Sequence, residues 1–283
     1  MSGERAAVPR RDEIGGWGAL PRFIGAAAVT LTYLFLLAPI VIVIFTSFNP
    51  TEANAFPPTG LSLRWYHEFA ESDGFVSAFL FSLWLGILAA IGATAIGFLA
   101  AYALLRFFAR RRELGQALTM LPMMIPHVLI SISLVFMLTV VELPETLTLL
   151  LGHIIICLPF TVAGILSSLD AVDRNLEHAA FTLGASRARV MWEVTLPLIA
   201  PGLLSALIFA FIVSFGDVYI ALFLSGPGKT TLPIEIFNYM NWQSTPVIAA
   251  ITSVQVAMIV VLGLAIERLV GLRHVMRIEE TRR

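Results

Sequence analysis

The sequence predicts an all-α integral membrane protein with six transmembrane helices and a polar loop between the fourth and the fifth. Hydrophobic residues make up 58% of the 283 residues, charged residues make up 13%, and the mean hydropathy is +0.87. These values exclude an ordinary soluble domain. Several apolar runs reach the roughly 20 residues of helix that are needed to cross a bilayer. The segments between them are too short for a sizeable soluble domain.

The six predicted spans are apolar runs bounded by charged or turn-forming residues. They cover residues 23–45, 75–105, 114–140, 147–169, 198–224 and 247–269. The first run is too long for the apolar part of a signal peptide and lacks a small-residue cleavage motif, so it is kept as a membrane helix. Pro122 and Pro126 are expected to interrupt the hydrogen-bond ladder of the third span, and Pro159 lies within the fourth.

Small residues recur along one face of the second span. They stand at intervals of four, at Ala89, Ala93, Gly97 and Ala101. Residues four apart lie on the same side of a helix, so this stripe lets another helix approach closely. Close helix packing is the main interpretation, and a role in lining a gate is the alternative.

The distribution of basic residues predicts which side of the membrane each segment faces. Of the 18 arginine and lysine residues, only Arg64 and Lys229 fall in the loops opposite the N-terminal tail. The positive-inside rule therefore places both termini in the cytoplasm. The expected domains are a cytoplasmic tail, a transmembrane domain and a second cytoplasmic tail, at residues 1–22, 23–271 and 272–283. A net charge of −1 gives no indication of nucleic-acid binding.

The polar loop at residues 173–201 predicts two short helices separated by a break. Asp173 is a suitable N-cap for the first helix, where its charge also suits the helix dipole. Gly184 stands where that helix would end, because glycine adopts the left-handed conformation without steric cost. Ser186 can cap the second helix, and Pro197 then bends the chain into the fifth span. The charge distribution places this loop in the cytoplasm.

Small and turn-forming residues within the loop form a recognisable pattern. They are Ala179, Ala180, Gly184, Ala185 and the Leu196-Pro197 pair. This pattern resembles the EAA loop of the permease subunits of type I ABC importers, in which the loop supplies a coupling helix that docks into the ATP-binding subunit. The resemblance implies an ATPase-coupling role for Glu177, His178, Ala179, Ala180, Gly184, Ala185, Ser186, Arg187 and Pro197.

The loop departs from the family pattern at one position. The glutamate that precedes the two alanines in the family is His178 in this chain. Glu177 stands next to it and could take its place, although it lies about 100° further around the helix. The alternative interpretation of the whole loop is an amphipathic interfacial segment without a partner.

Two outer segments are similar to the polyamine branch of the same family, the spermidine and putrescine permeases. Residues 56–69 read FPPTGLSLRWYHEF, and residues 231–252 read TLPIEIFNYMNWQSTPVIAAIT. Trp65 and Tyr66 are expected at headgroup level, where aromatic residues at span edges usually lie. The amphipathic segment at 232–242 is expected to lie at the interface or to re-enter the membrane.

Asp217 is the candidate residue for the translocation pathway. A carboxylate at membrane depth costs on the order of 2.5 to 3.5 kcal/mol, so it should face a wet cavity or a partner. A structural acid that accepts hydrogen bonds near the outer interface is the alternative. In the polyamine branch the fifth span carries a carboxylate pair, and Gly216 stands at the first of those positions here. Phe215 and Tyr219 are the accompanying pathway candidates.

The remaining polar residues of the spans predict no catalytic or metal site. His127 and His153 stand alone in apolar runs and are expected to be satisfied by hydroxyl or backbone groups. Cys157 is interpreted as a small buried hydrophobic residue, without a disulfide or a cysteine-based metal site. The sequence contains no GxSxG motif and no Walker A motif. The chain is therefore expected to bind no cofactor itself and to hydrolyse no ATP.

The resemblance implies a permease subunit of an ABC importer in the inner membrane of a bacterium. It would work with a second permease, expected to be a paralogue, two ATP-binding subunits that hold ATP and Mg, and a periplasmic or extracellular substrate-binding protein. The expected cargo is a polyamine or a related small amine, and another small polar solute is the alternative. Two other function classes are weighed: an ion-coupled secondary transporter and an intramembrane enzyme. The first would usually show internal repeats and more ionisable groups in its spans.

Overall fold

A computed structural model describes residues 19–226 and 228–280, and in this part of the chain the regular elements are all helices. The α-helices are α1 (Ala19–Thr46), α2 (Arg64–Glu71), α3 (Asp73–Arg106), α4 (Arg112–Met124), α5 (His127–Val141), α6 (Glu145–Asp170), α7 (Arg174–Thr182), α8 (Arg187–Val190), α9 (Leu196–Phe215), α10 (Tyr219–Leu224), α11 (Leu232–Met240) and α12 (Val247–Glu280). A 3₁₀ turn precedes α4 at Ala109–Arg111, and a π-helical stretch joins α8 to α9 at Met191–Thr195.

The predicted membrane fold is confirmed. Within the described residues, five helical stretches are long and apolar enough to cross a membrane: α1, α3, α6, the stretch from α8 to α9, and α12. A sixth crossing is present if α4 and α5 count as one span, since the two helices together are apolar enough and are bent by 91°. The break falls between Met124 and His127, at Pro126, whereas Pro122 lies inside α4.

The ends of the fifth and sixth spans differ from the predicted ones. The predicted fifth span at 198–224 is interrupted, because α9 ends at Phe215 and α10 begins at Tyr219. Asp217 lies in this interruption rather than within a helix, and its side chain accepts the Ile220 N–H at 2.7 Å. This local hydrogen bond lies at the start of α10. The sixth helix continues to Glu280, beyond the predicted end, since no proline interrupts it.

The core is built where α3, α6 and α9 pack against one another. The small-residue stripe of α3 lies at this contact, and Ala89, Ala93 and Ala101 are fully buried. The Thr161 hydroxyl of α6 donates to the Ala93 carbonyl at 3.0 Å, which requires a close approach of the two helices. A Cβ atom added to Gly97 would strike the Thr161 side chain. The packing interpretation of the stripe is therefore the one that the structure supports.

Trp65 and the first residues of α11 are buried within the protein. Only 1% of Trp65 is exposed, and its indole N–H donates to the Asn49 carbonyl at 2.6 Å. α2 therefore holds this side chain inside the protein, where lipid does not reach it. On α11, Leu232 is buried and its N–H donates to the Ser82 hydroxyl of α3 at 2.7 Å. These contacts fasten the outer segments to the bundle.

One of the described helices stands apart from this core. Helix α1 packs against α12, and its most apolar stretch contains no buried residue. Most of the predicted N-terminal tail, residues 1–18, and the last three residues of the predicted C-terminal tail, 281–283, lie outside the described residues.

We expect the substitution Gly97→Val to destabilise the protein by about 1–3 kcal/mol, because the added atoms overpack the contact with Thr161. Thermal unfolding of the purified protein in detergent measures the effect. Gly25→Val is the matched control, since a Cβ atom at Gly25 meets nothing within 4 Å. Equal melting shifts in the two variants would contradict the close contact between α3 and α6.

Candidate functional site

The predicted pair of short helices is present between the fourth and fifth spans. The Asp173 side chain accepts the Asn175 N–H at 2.9 Å and begins α7. Gly184 follows with a φ of +86°, the left-handed conformation expected of it. The Ser186 hydroxyl accepts the Arg189 N–H at 3.3 Å and begins α8. The chain then runs through the π-helical stretch into α9 without a loop.

Several large apolar side chains are exposed in and beside this helix pair. Leu183 is 88% exposed, Trp192 is 72% exposed, and Leu176 and Phe181 are also exposed. Of the predicted coupling residues, the exposed ones are His178, Ala179, Gly184, Ser186, Arg187 and Pro197, the half-buried ones are Ala180 and Ala185, and the buried one is Glu177. Apolar side chains clustered at a surface mark a site where another protein binds.

Glu177 points away from this outer surface and into the protein. Its carboxylate accepts a hydrogen bond from the Arg106 guanidinium at the end of α3 and another from the Thr195 hydroxyl at 2.9 Å. The side chains of Arg106 and Glu177 are only 14% and 10% exposed. Glu177 therefore does not take the outward position that His178 occupies. The 100° offset between neighbouring residues on a helix explains the difference.

A second ion pair lies at the same end of the helix bundle. The Arg112 guanidinium, at the start of α4, donates to both carboxylate oxygens of Asp170, the last residue of α6, with one contact at 3.0 Å. Such bidentate contacts restrict the orientation of the two side chains and also strengthen their interaction. Neither ion pair is predictable from the sequence, because Arg106 and Arg112 also fit the basic residues that mark the ends of membrane spans.

Asp217 lies where the interruptions of two spans meet. Its side chain is 3% exposed and stands 3.4 Å from the His127 ring nitrogen Nδ1. His127 is the first residue of α5, directly after the bend between α4 and α5. The Ser131 hydroxyl adds a hydrogen bond to the Tyr219 carbonyl at 3.1 Å, so α5 and α10 are held together. No sequence pattern pairs His127 with Asp217, because the two residues belong to different spans that are far apart along the chain.

The other residues singled out from the sequence are distributed around this point. Nδ1 of the His153 ring contacts the Ser214 hydroxyl at 2.8 Å, as expected, whereas Nε2 is buried without a hydrogen-bond partner in the described part of the chain. Phe215 is buried and Tyr219 is about half exposed. The three pathway candidates are neighbours, but only Tyr219 reaches the surface of the single chain.

A cavity lies between α3, α9 and α12. It measures about 360 Å³, and apolar side chains such as Leu83, Phe211 and Met258 line it. Asp217 is not among its lining residues, so this cavity offers no site for a polar solute. Among the described residues, no group of three or more histidine, cysteine, aspartate or glutamate side chains could hold a metal ion.

Relatives of this chain are transport permeases. The chain is 32% identical over 261 residues to the putrescine transport system permease protein PotI of Escherichia coli K12, covering 89% of this chain and 92% of the relative. It is 30% identical to the spermidine/putrescine transport system permease protein PotC of Haemophilus influenzae, covering 83% and 92%. A putative 2-aminoethylphosphonate permease, PhnV of Salmonella typhimurium, is 28% identical over 87% and 93%.

Solved structures share the fold at low sequence identity. A bacterial ABC transporter that imports the acidic polysaccharide alginate matches with a TM-score of 0.65 and 15% identity, over 93% of this chain and 99% of its own. The alginate transporter in complex with a pentasaccharide-bound periplasmic protein matches with a TM-score of 0.65 and 16% identity, over 90% and 98%. The family model described as binding-protein-dependent transport system inner membrane component matches residues 93–272. This chain therefore belongs to the family of inner membrane components of binding-protein-dependent transport systems.

Proposed function

We propose that this chain is one of two permease subunits of an ATP-binding-cassette importer for a small amine of the putrescine or spermidine class. The observation that carries the proposal is the exposed helix pair of α7 and α8, joined directly to a membrane-spanning helix. Support also comes from the relatives named for putrescine and spermidine transport and from the alginate transporter in complex with its periplasmic protein.

The apolar outer surface of α7 and α8 is the docking surface for an ATP-binding subunit. Burial of Leu183 alone would contribute about 1.5–3 kcal/mol to association, because the side chain is almost fully exposed in the single chain. His178 and Arg187 lie on the same exposed surface and supply polar contacts. ATP and Mg would bind to the partner subunit. This chain contributes the docking surface, which is displaced when the partner subunit moves.

The movement passes from the loop into the membrane through α9. No loop separates α8 from α9, so a displacement of α7 and α8 is carried along the helix toward Gly216 and Asp217. The basic residues concentrated at this end of the spans support a cytoplasmic location for the loop and for both termini. A second permease, a paralogue, would complete the pathway, and a periplasmic or extracellular binding protein would deliver the solute.

Asp217 is the proposed contact for the amine. Its carboxylate is buried beside His127, and an ammonium group could replace the histidine as its partner. Tyr219 is half-exposed next to the pair, with its ring 6.3 Å from the His127 ring. At the end of the bundle opposite α7, acidic residues outnumber basic ones in the segments that connect the spans. This excess of negative charge attracts a cation. The acidic residues are Glu52, Glu68, Glu71, Asp73, Glu142, Glu145 and Glu235, against Arg64 and Lys229.

The importer proposal is tested by reconstituting the permease pair in nanodiscs with the cognate ATP-binding subunit. We expect ATP hydrolysis to rise when the binding protein is added together with putrescine or spermidine, and less with the binding protein alone. An ion-coupled carrier would instead transport without an ATP-binding subunit and would follow an ion gradient. Absence of any association with the ATP-binding subunit would overturn the proposal.

Leu183→Asp is expected to weaken association with the ATP-binding subunit by roughly 10- to 100-fold, because it removes an apolar contact worth about 1.5–3 kcal/mol. Titration of the labelled ATP-binding subunit onto the permease in detergent measures the change. Trp242→Asp is the control, since Trp242 is equally exposed but lies beyond α11 at the other end of the bundle. A similar loss in both variants would argue against docking at α7.

Asp217→Asn should reduce amine uptake at least tenfold while leaving the fold intact. Asparagine keeps an oxygen that can accept the Ile220 N–H, but it loses the charge that would bind an ammonium group, a contact worth about 1.5–3 kcal/mol. Uptake of labelled putrescine into proteoliposomes measures the effect, with the exposed Glu193→Gln as the control. Unchanged uptake in Asp217→Asn would remove this residue from the pathway.

A further inference from the structure

The inward contacts of α7 join three separate parts of the chain. Glu177 lies in the middle of α7, Arg106 is the last residue of α3, and Thr195 ends the π-helical stretch. The carboxylate accepts hydrogen bonds from both partners through the same oxygen. α7 is therefore fastened from inside to the end of the second span as well as to the start of the fifth.

Burial makes this contact difficult to break. A carboxylate that is 8% exposed and a guanidinium group in the same environment would each be costly without the other. The guanidinium group also lies over the Tyr102 ring, 5.8 Å from its centre. The Arg189–Glu193 pair on the neighbouring segment differs, because its side chains are 64% and 70% exposed and water screens their charges.

We propose that Glu177 is a positioning residue that transmits the movement of α7 to α3, a second route into the membrane beside the continuous connection to α9. The proposal rests on the proposed importer function. Because separating Glu177 from Arg106 would leave two buried charges unpaired, the end of α3 follows α7 when an ATP-binding subunit displaces it. His178 and Leu183 remain on the outer surface and make the docking contacts.

The length of α3 determines how far a movement of α7 would be transmitted by this second route. The helix has 34 residues, so it is about 50 Å long and reaches from α7 to the opposite end of the bundle. Near that opposite end the Ser82 hydroxyl accepts the Leu232 N–H of α11. α3 therefore connects the docking loop at one end with α11 at the other, where the solute would be delivered.

The first test compares Glu177→Gln with Glu193→Gln in the assembled transporter. We expect Glu177→Gln to bind the ATP-binding subunit like the parent, since the outer surface of α7 is unchanged, but to lose at least tenfold in amine uptake per ATP hydrolysed. Glu193→Gln should change neither quantity. In the double variant Arg106→Gln with Glu177→Gln, the effects should be non-additive, because both substitutions break one contact.

The second test needs no partner subunit. Spin labels are placed at Phe108→Cys and Phe181→Cys, two exposed positions next to α3 and on α7, in the permease in nanodiscs. The native Cys157 is buried and should react little with the spin label, so the chain without these two substitutions is a suitable blank. We expect a narrow distance distribution in the parent and in Glu193→Gln, and a broader one in Glu177→Gln.

Two results would overturn the proposal. One is an unchanged label distribution in Glu177→Gln together with unchanged uptake. The other is a loss of ATP-binding-subunit association in Glu177→Gln equal to that in Leu183→Asp, which would make Glu177 a docking contact. If the parent itself binds no ATP-binding subunit, the importer function fails, and the label distances alone then decide whether Glu177 fastens α7 to α3.

Discussion

A helix can be interrupted at membrane depth only where other protein groups satisfy the freed backbone, and this constraint determines where the spans of this permease break. The third and fifth spans are both interrupted, and the two interruptions lie against each other. Asp217 accepts the free N–H of Ile220, and Ser131 donates to the Tyr219 carbonyl. Asp217, which satisfies backbone freed by the break in the fifth span, is thus also the central residue of the candidate solute site.

The features that sequence analysis predicted correctly depend on local patterns. Composition determines the membrane class, a four-residue period identifies the packing face of α3, and caps such as Asp173 and Ser186 locate the short helices. The missed features depend on contacts between distant parts of the chain. Arg106 lies 71 residues from Glu177, and nothing in the pattern of either segment connects them. The burial of Trp65 was not predicted, because a buried aromatic residue and a headgroup anchor look the same at the end of a span.

The two surfaces of α7 have different chemistry and serve different purposes. The outer surface carries apolar side chains and His178, which suit an association that forms with another subunit. The inner surface carries Glu177, whose buried contacts suit a fixed attachment within the chain. The departure from the family pattern at His178 changes the outer surface only. Under the proposed importer function, it alters the contacts offered to the ATP-binding subunit, whereas the attachment of α7 to the spans through Glu177 is unchanged.

The π-helical stretch at Met191–Thr195 limits how the length of this loop can vary between related chains. A π-helical turn usually arises from one extra residue in an α-helix, and each residue rotates the next part of the helix by about 100°. Deletion of one residue from this stretch would restore a regular α-helix but would turn Thr195 away from Glu177. Length variation between Ser186 and Pro197 is therefore constrained even though most side chains in that segment are exposed. Alignments of related permeases should tolerate substitutions there more readily than insertions or deletions.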